Sequence, residues 1–266
     1  MLRTAGGHRR IPREGLEEIL AKGGDLSSMP NTALNARRDS QVADRSQPSK
    51  TSESCIFERQ EEFRQALDSG MENRCRQLIH QLVDEGWRRS QAADAMITDA
   101  MHHIGHRWAQ GDLAVYQERR ACGICQGLLH ELKQSILVPE KSPVAIGCAP
   151  EGDGYQLPTQ MVELVLREAG WRATSLGSNV PIKSISAAVD EYRPRLLWIS
   201  LSHVDTEDLF VSDFNSLAAA LPGETSIILG GRAANDVLRP RLRYTAHCDS
   251  LVHLSGLAAA FLSKLS

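Results

Sequence analysis

The chain has 266 residues, 42% of them apolar, and a formal net charge of −3. That is enough to bury a real core, and the mild charge argues against a chain that binds nucleic acid over its whole surface. No apolar run reaches the roughly 18–20 residues needed to span a bilayer. With no apolar signal core at the N-terminus and only six cysteines, unevenly spaced, the composition predicts a cytoplasmic protein with reduced thiols.

Residues 1–22 open with arginines, Arg3, Arg9, Arg10 and Arg13, before the first acid at Glu14. The stretch "PREGLEEIL" then predicts a short helix with Pro12 in its first turn. Residues 23–54 are polar, rich in Ser, Asn, Asp and Arg, and show no apolar period, which predicts a disordered linker.

Over residues 55–140 the period turns helical. Phe57, Phe63 and Leu67 fall near one face, and Gly70 stops the run. Cys75, Leu78, Ile79 and Leu82 repeat the design, with a stop at Gly86. The segments "SQAADAMITDAMHHIGHRWAQG" and "LAVYQERRACGICQGLLHELKQSIL" follow, and four helices with short joints predict an antiparallel bundle. Cys122 and Cys125 lie inside the last of these without a second ligand pair, so helix packing explains them better than metal binding.

Residues 141–266 alternate between strand and helix patterns. The strand candidates are "VAIGCA", "WRATSLG", "LLWISLS" and "TSIILGG", with a weak fifth near "DSLVHL". Such alternation predicts a parallel sheet with helices on both faces, and ligands of these sheets bind at the carboxyl ends of the strands. The acidic, glycine-rich loop "APEGDGYQLP" sits at one of those ends.

Three strand ends share a telling spacing: Asp153 to Pro158, Ser200-Leu201-Ser202, and Gly230-Gly231. Together they resemble the Rossmann-like cobalamin-binding domain, whose fingerprint is Asp-x-His-x-x-Gly, then Ser-x-Leu, then Gly-Gly. Trp108 followed ten residues later by Glu118 is similar to the helical cap of the same family, which ends in Glu-His. The resemblance implies an α/β protein with an all-α cap: a four-helix bundle before a flavodoxin-like parallel sheet. It implies a corrinoid ligand, adenosylcobalamin or methylcobalamin, held by Trp108, Glu118, Arg119, Asp153, Tyr155, Ser200, Ser202, Gly230 and Gly231. Tyr155 stands where the family has a histidine that can replace the cofactor's own base on cobalt. A phenol is a poor substitute for an imidazole, so the cofactor is expected to keep its base or leave that position to water. Arg119 stands at the cap histidine, Pro158 at the closing glycine, and Ser202 at the leucine.

The stretch "GGHRRI" resembles the wing of MerR- or excisionase-like DNA-binding domains, without the helix-turn-helix that precedes it there. This implies a regulatory protein rather than an enzyme, with weak DNA contacts through Arg3, His8, Arg9 and Arg10. A homo-oligomer or a regulatory protein partner is compatible with that role. The alternatives are a corrinoid methyl carrier of a methyltransferase system, and an interaction module that keeps the fold without a ligand or binds haem.

Overall fold

The computed structural model describes residues 50–265, with side chains from Cys55 onward. The DNA contacts expected at Arg3, His8, Arg9 and Arg10 lie outside the described residues. Helix α1 (Lys50–Asp68) ends at Gly70, whose φ of 71° suits a residue without a Cβ, and helix α2 (Glu72–Asp84) follows. The third rod starts as α3 (Arg89–Ala93), widens into one π turn over Asp94–Thr98, and continues as α4 (Asp99–Gln110). The side-chain amide of Gln60 donates to the Ala95 carbonyl at 2.8 Å, which gives the widened turn a donor from outside the rod. Helix α5 (Val115–Gln134) completes the bundle.

Two expectations need correction here. Helix α1 begins at Lys50, inside the stretch read as a linker over residues 23–54. The polar run before Cys55 carries no apolar period, yet a helix nucleated further along extends at little cost. Phe57 is not on the buried face: it is 63% exposed, with the Arg64 guanidinium 5.9 Å from its ring centroid. Phe63, Leu67, Leu78, Ile97, Ile104 and Leu128 do share one core.

After the bundle come β1 (Val144–Cys148), α6 (Gln156–Glu168), β2 (Arg172–Ser175), α7 (Ile182–Tyr192) and β3 (Leu196–Ser200). Helix α8 (Glu207–Ala220), β4 (Ser226–Gly230), β5 (Ala246–Cys248) and α9 (Leu251–Ser263) finish the unit. All pairings are parallel, in the order β2-β1-β3-β4-β5, so the predicted fold class holds. The fifth strand lies earlier than "DSLVHL". Within that stretch Ser250 accepts the His253 N–H at 3.1 Å, and this cap starts α9.

Strand residues alternate between two apolar layers, as a period of two requires. Leu197, Ile199 and Leu229 pack with Ile185 and Phe214; Trp198 and Ile228 pack with Val165 and Leu254 on the other face.

The bundle docks on the flank of α6 rather than squarely over the strand ends. Leu157, Met161 and Leu164 of α6 enter the bundle's own core. Lys133 Nζ lies 2.5 Å from Glu163 Oε2, and Gln126 donates to Gln156 at 3.3 Å. Both contacts join α5 to α6 at the same thirty-residue offset, so these helices run parallel. At the far end of α6 the Glu168 carboxylate accepts the backbone N–H groups of Arg89 at 2.8 Å and Ser90 at 3.2 Å, and the Ser90 hydroxyl as well. A residue of the sheet unit therefore caps the third rod of the bundle.

Candidate functional site

Strand β1 ends in a loop that must turn back over the sheet before α6 begins at Gln156. Its backbone stays paired beyond the strand: Glu151 N–H donates to the Val180 carbonyl at 2.9 Å, and Asn179 N–H to the Asp153 carbonyl at 2.8 Å. Asn179 takes a left-handed φ of 57°, and its side chain accepts the Gly152 N–H at 2.9 Å. The segment "LGSNVP" after β2 is thus laced to the first loop.

Asp153 is completely buried. One carboxylate oxygen accepts the Tyr155 N–H at 3.0 Å; the other accepts the N–H groups of Ser202 at 2.5 Å and His203 at 3.1 Å. An ionised carboxylate is acceptor-only, and three backbone donors from two loops suit it. Asp153 therefore clamps the β1 loop to the β3 loop.

The other strand-end residues meet at the same end of the sheet. Ser200 pairs with Gly230 across β3 and β4, and Ser200 and Ser202 are 4% and 9% exposed. Gly231 has φ of 103°, and a Cβ there would lie 2.4 Å from the Leu201 carbonyl oxygen. Its lack of a side chain lets the β4 loop touch the β3 loop, with Leu201 N–H donating to the Gly230 carbonyl at 2.7 Å.

Sequence reasoning named neither Arg232 nor Asp205. Arg232 follows the glycine pair, its Nε donates to the Ser202 carbonyl at 2.9 Å, and its guanidinium lies 4.9 Å from the Tyr155 ring centroid. Tyr155 is half exposed and is the residue just before α6. Asp205 Oδ1 meets His203 Nε2 at 2.8 Å. A basic residue directly after Gly-Gly, and an acid two places after a histidine, were the available signals.

Trp108, Glu118 and Arg119 belong to the bundle's rim. Trp108 is 59% exposed, and Arg119 Nε lies 3.5 Å from Glu118 Oε2. Among the described residues no hydrogen bond or ring contact joins these three to the Asp153 loop. Glu118 stands two helical turns, about 12 Å, beyond Gln126 on α5. Because α5 parallels α6, that overhang points past the carboxyl ends of the strands. Cys122 sits on the overhang with Sγ 3.3 Å from Glu118 Oε1, and burial pushes its thiol up to about 12; burial also raises the fully enclosed Cys125. Neither thiol is set up as a reactive thiolate.

Residues 59–133 match the family model described as the B12 binding domain. A 147-residue stretch, 55% of this chain, is 24% identical to the HTH-type transcriptional repressor CarA of Myxococcus xanthus. The match spans about half the length of that curated relative, 49%. Among solved structures, the monomethylamine corrinoid protein of Methanosarcina barkeri aligns with a TM-score of 0.63 at 14% identity, covering 75% of this chain and 96% of its own. That likeness is one of fold. The bundle segment 59–133 is thus similar to the B12 binding domain, in a chain that shares the fold of a corrinoid protein.

Proposed function

We propose that this chain is a corrinoid-responsive regulatory protein, not an enzyme. Cobalamin would be held between the rim of the bundle, at Trp108 and Glu118, and the strand-end loops of Asp153, Ser200, Ser202 and Gly231. The observation that carries the reading is the convergence of three clamped loops at one end of the sheet, with the α5 overhang of a B12 binding domain projecting past the same end.

The residues present fit such a group. A Cβ added at Gly154 or Gly177 would meet nothing within 4 Å, so the loop backbone is open there. An imidazole, His203, stands in the same cluster. When bound, the corrinoid would supply a metal centre able to exchange a ligand. The chain's part is to shape the loops, bury the faces and couple occupancy to the position of the bundle.

The similarity to a repressor favours regulation, with DNA as the downstream partner reached through residues before the described region. Corrinoid methyl carriage for a separate methyltransferase is the second reading, compatible with the fold shared with a monomethylamine corrinoid protein. Among the described residues no helix is long and apolar enough to cross a membrane.

The deciding experiment is a titration of the full chain with adenosylcobalamin, methylcobalamin, hydroxocobalamin and haemin, followed by visible spectra and by size-exclusion chromatography with and without ligand. Co-elution of a cobalamin and a ligand-dependent change in elution support the regulatory reading. Methyl transfer from the bound methylcobalamin to a thiol acceptor with an added methyltransferase would favour the carrier. Binding of haemin alone would overturn both.

A further inference from the structure

We propose that His203 is the side chain that would donate to the metal of a bound corrinoid at the strand ends, with Asp205 as the residue that orients it. The proposal rests on the corrinoid reading above and departs from the expectation that the lower position is left to the cofactor's base or to water.

Place comes first. His203 lies in the loop after β3, at the carboxyl end of the sheet, where ligands of such sheets bind. Its N–H is held by the same Asp153 carboxylate that holds the Tyr155 N–H. The two residues therefore flank one carboxylate, although 48 positions separate them in the chain.

Chemistry distinguishes them. The Tyr155 ring lies under the Arg232 guanidinium, and a phenol must give up a proton before it binds a metal well. An imidazole nitrogen has a lone pair ready. His203 Nε2 meets the Asp205 carboxylate at 2.8 Å, and Nδ1 has no partner among the described residues. A carboxylate on one ring nitrogen, with the other left open, is how proteins orient a metal-ligating histidine.

The pair is also seated. A Cβ on Gly152 would come within 2.9 Å of Asp205 Oδ2, and Gly152 has φ of 83°. The first loop thus makes room for Asp205, which sets the His203 ring beside that loop. Among the described residues, His80 also faces a carboxylate, Glu131 at 3.8 Å, but from the bundle and not from the strand ends. His247 is enclosed by Arg239 at 3.3 Å and Asp249 at 3.3 Å, and His102, His103 and His106 belong to α4 of the bundle.

The test uses the full chain and cobinamide, a corrinoid without its own base, reduced to the cobalt(II) state. Co-elution on size exclusion checks the corrinoid reading itself. Electron paramagnetic resonance then checks the donor. A protein nitrogen on cobalt splits the high-field lines into triplets, and protein grown with histidine carrying the heavy nitrogen isotope should give doublets instead. His203→Ala should abolish the splitting, whereas Tyr155→Phe and His247→Ala should keep it. Bound cobinamide without nitrogen splitting, or splitting indifferent to the label, overturns the His203 assignment while leaving the corrinoid reading intact. No co-elution of cobinamide or cobalamin overturns both. The labelled wild-type chain shows whether the donor is a histidine, and His203→Gln is read beside His203→Ala so that one poorly folding variant does not leave the residue undecided.

Discussion

Arg232 reaches back across the strand ends and lays its guanidinium over the ring of Tyr155, 4.9 Å from the centroid, while its Nε holds the Ser202 carbonyl. One side chain thereby joins the β4 loop to both the β1 and β3 loops. A double-mutant cycle of Tyr155→Ala and Arg232→Ala, measured by urea unfolding, should give a coupling of about 0.5–1 kcal/mol, as befits a part-exposed cation over a ring. Tyr155→Phe should retain it. No coupling would mean the stack holds nothing together.

Asp153 should be the least replaceable residue of the site. Removing its carboxylate leaves the N–H groups of Tyr155, Ser202 and His203 without an acceptor in a buried place. Asp153→Ala is expected to cost about 2–4 kcal/mol in chemical unfolding, and Asp153→Asn less, since one acceptor oxygen remains. Amide exchange should rise in the loops after β1 and β3 together. A rise in only one loop would contradict the clamp.

Glu168 predicts a different pattern. Glu168→Ala removes the cap on α3, at an expected cost of about 1–2 kcal/mol. The added exchange should appear in residues 89–98, across the boundary between the two units, and not in the sheet. Confinement of the change to α6 would argue that the cap contributes little.

Alkali should destabilise the fold through its thiols. Burial raises Cys75 and Cys248 to about 11, and Cys122 and Cys148 to about 12, from an ordinary value of 9.0. A raised folded value means that the stability is present below the unfolded value and is lost as the pH climbs through the folded one. The melting temperature should therefore fall progressively from about pH 9 toward pH 11, and Cys148→Ala should lessen the slope. At pH 8 a thiol reagent should modify the exposed Cys55 first.

Much of this architecture could be read beforehand because periodic burial leaves a trace. The stripe from Phe63 to Leu132 and the alternation from Val144 to Gly230 both follow from one-sided packing. The start of α1 could not be read, since Lys50–Ser54 is polar and leaves no such trace. The cap made by Glu168 was equally silent: it joins residues nearly eighty positions apart through backbone donors that any sequence possesses. At the strand ends, the spacing of Asp153, Ser200 and Gly230 brought the right loops together. What spacing could not convey was how the carboxylate is used, or that Arg232 and Asp205 would turn toward those loops.

The parallel run of α5 along α6 also has a mechanical side. Lys133–Glu163 and Gln126–Gln156 fix one part of a rod whose other end, near Glu118, projects about 12 Å past the second contact at 1.5 Å per residue. A rod pinned near one end is a lever. A rotation of roughly 10° at the Gln126 contact would swing the tip by about 2 Å for that length. A flat molecule wedged under the tip needs to do very little there for that rim of the bundle, where Arg120 meets the end of α1 at Asp68, to move by a distance that a neighbouring molecule could feel.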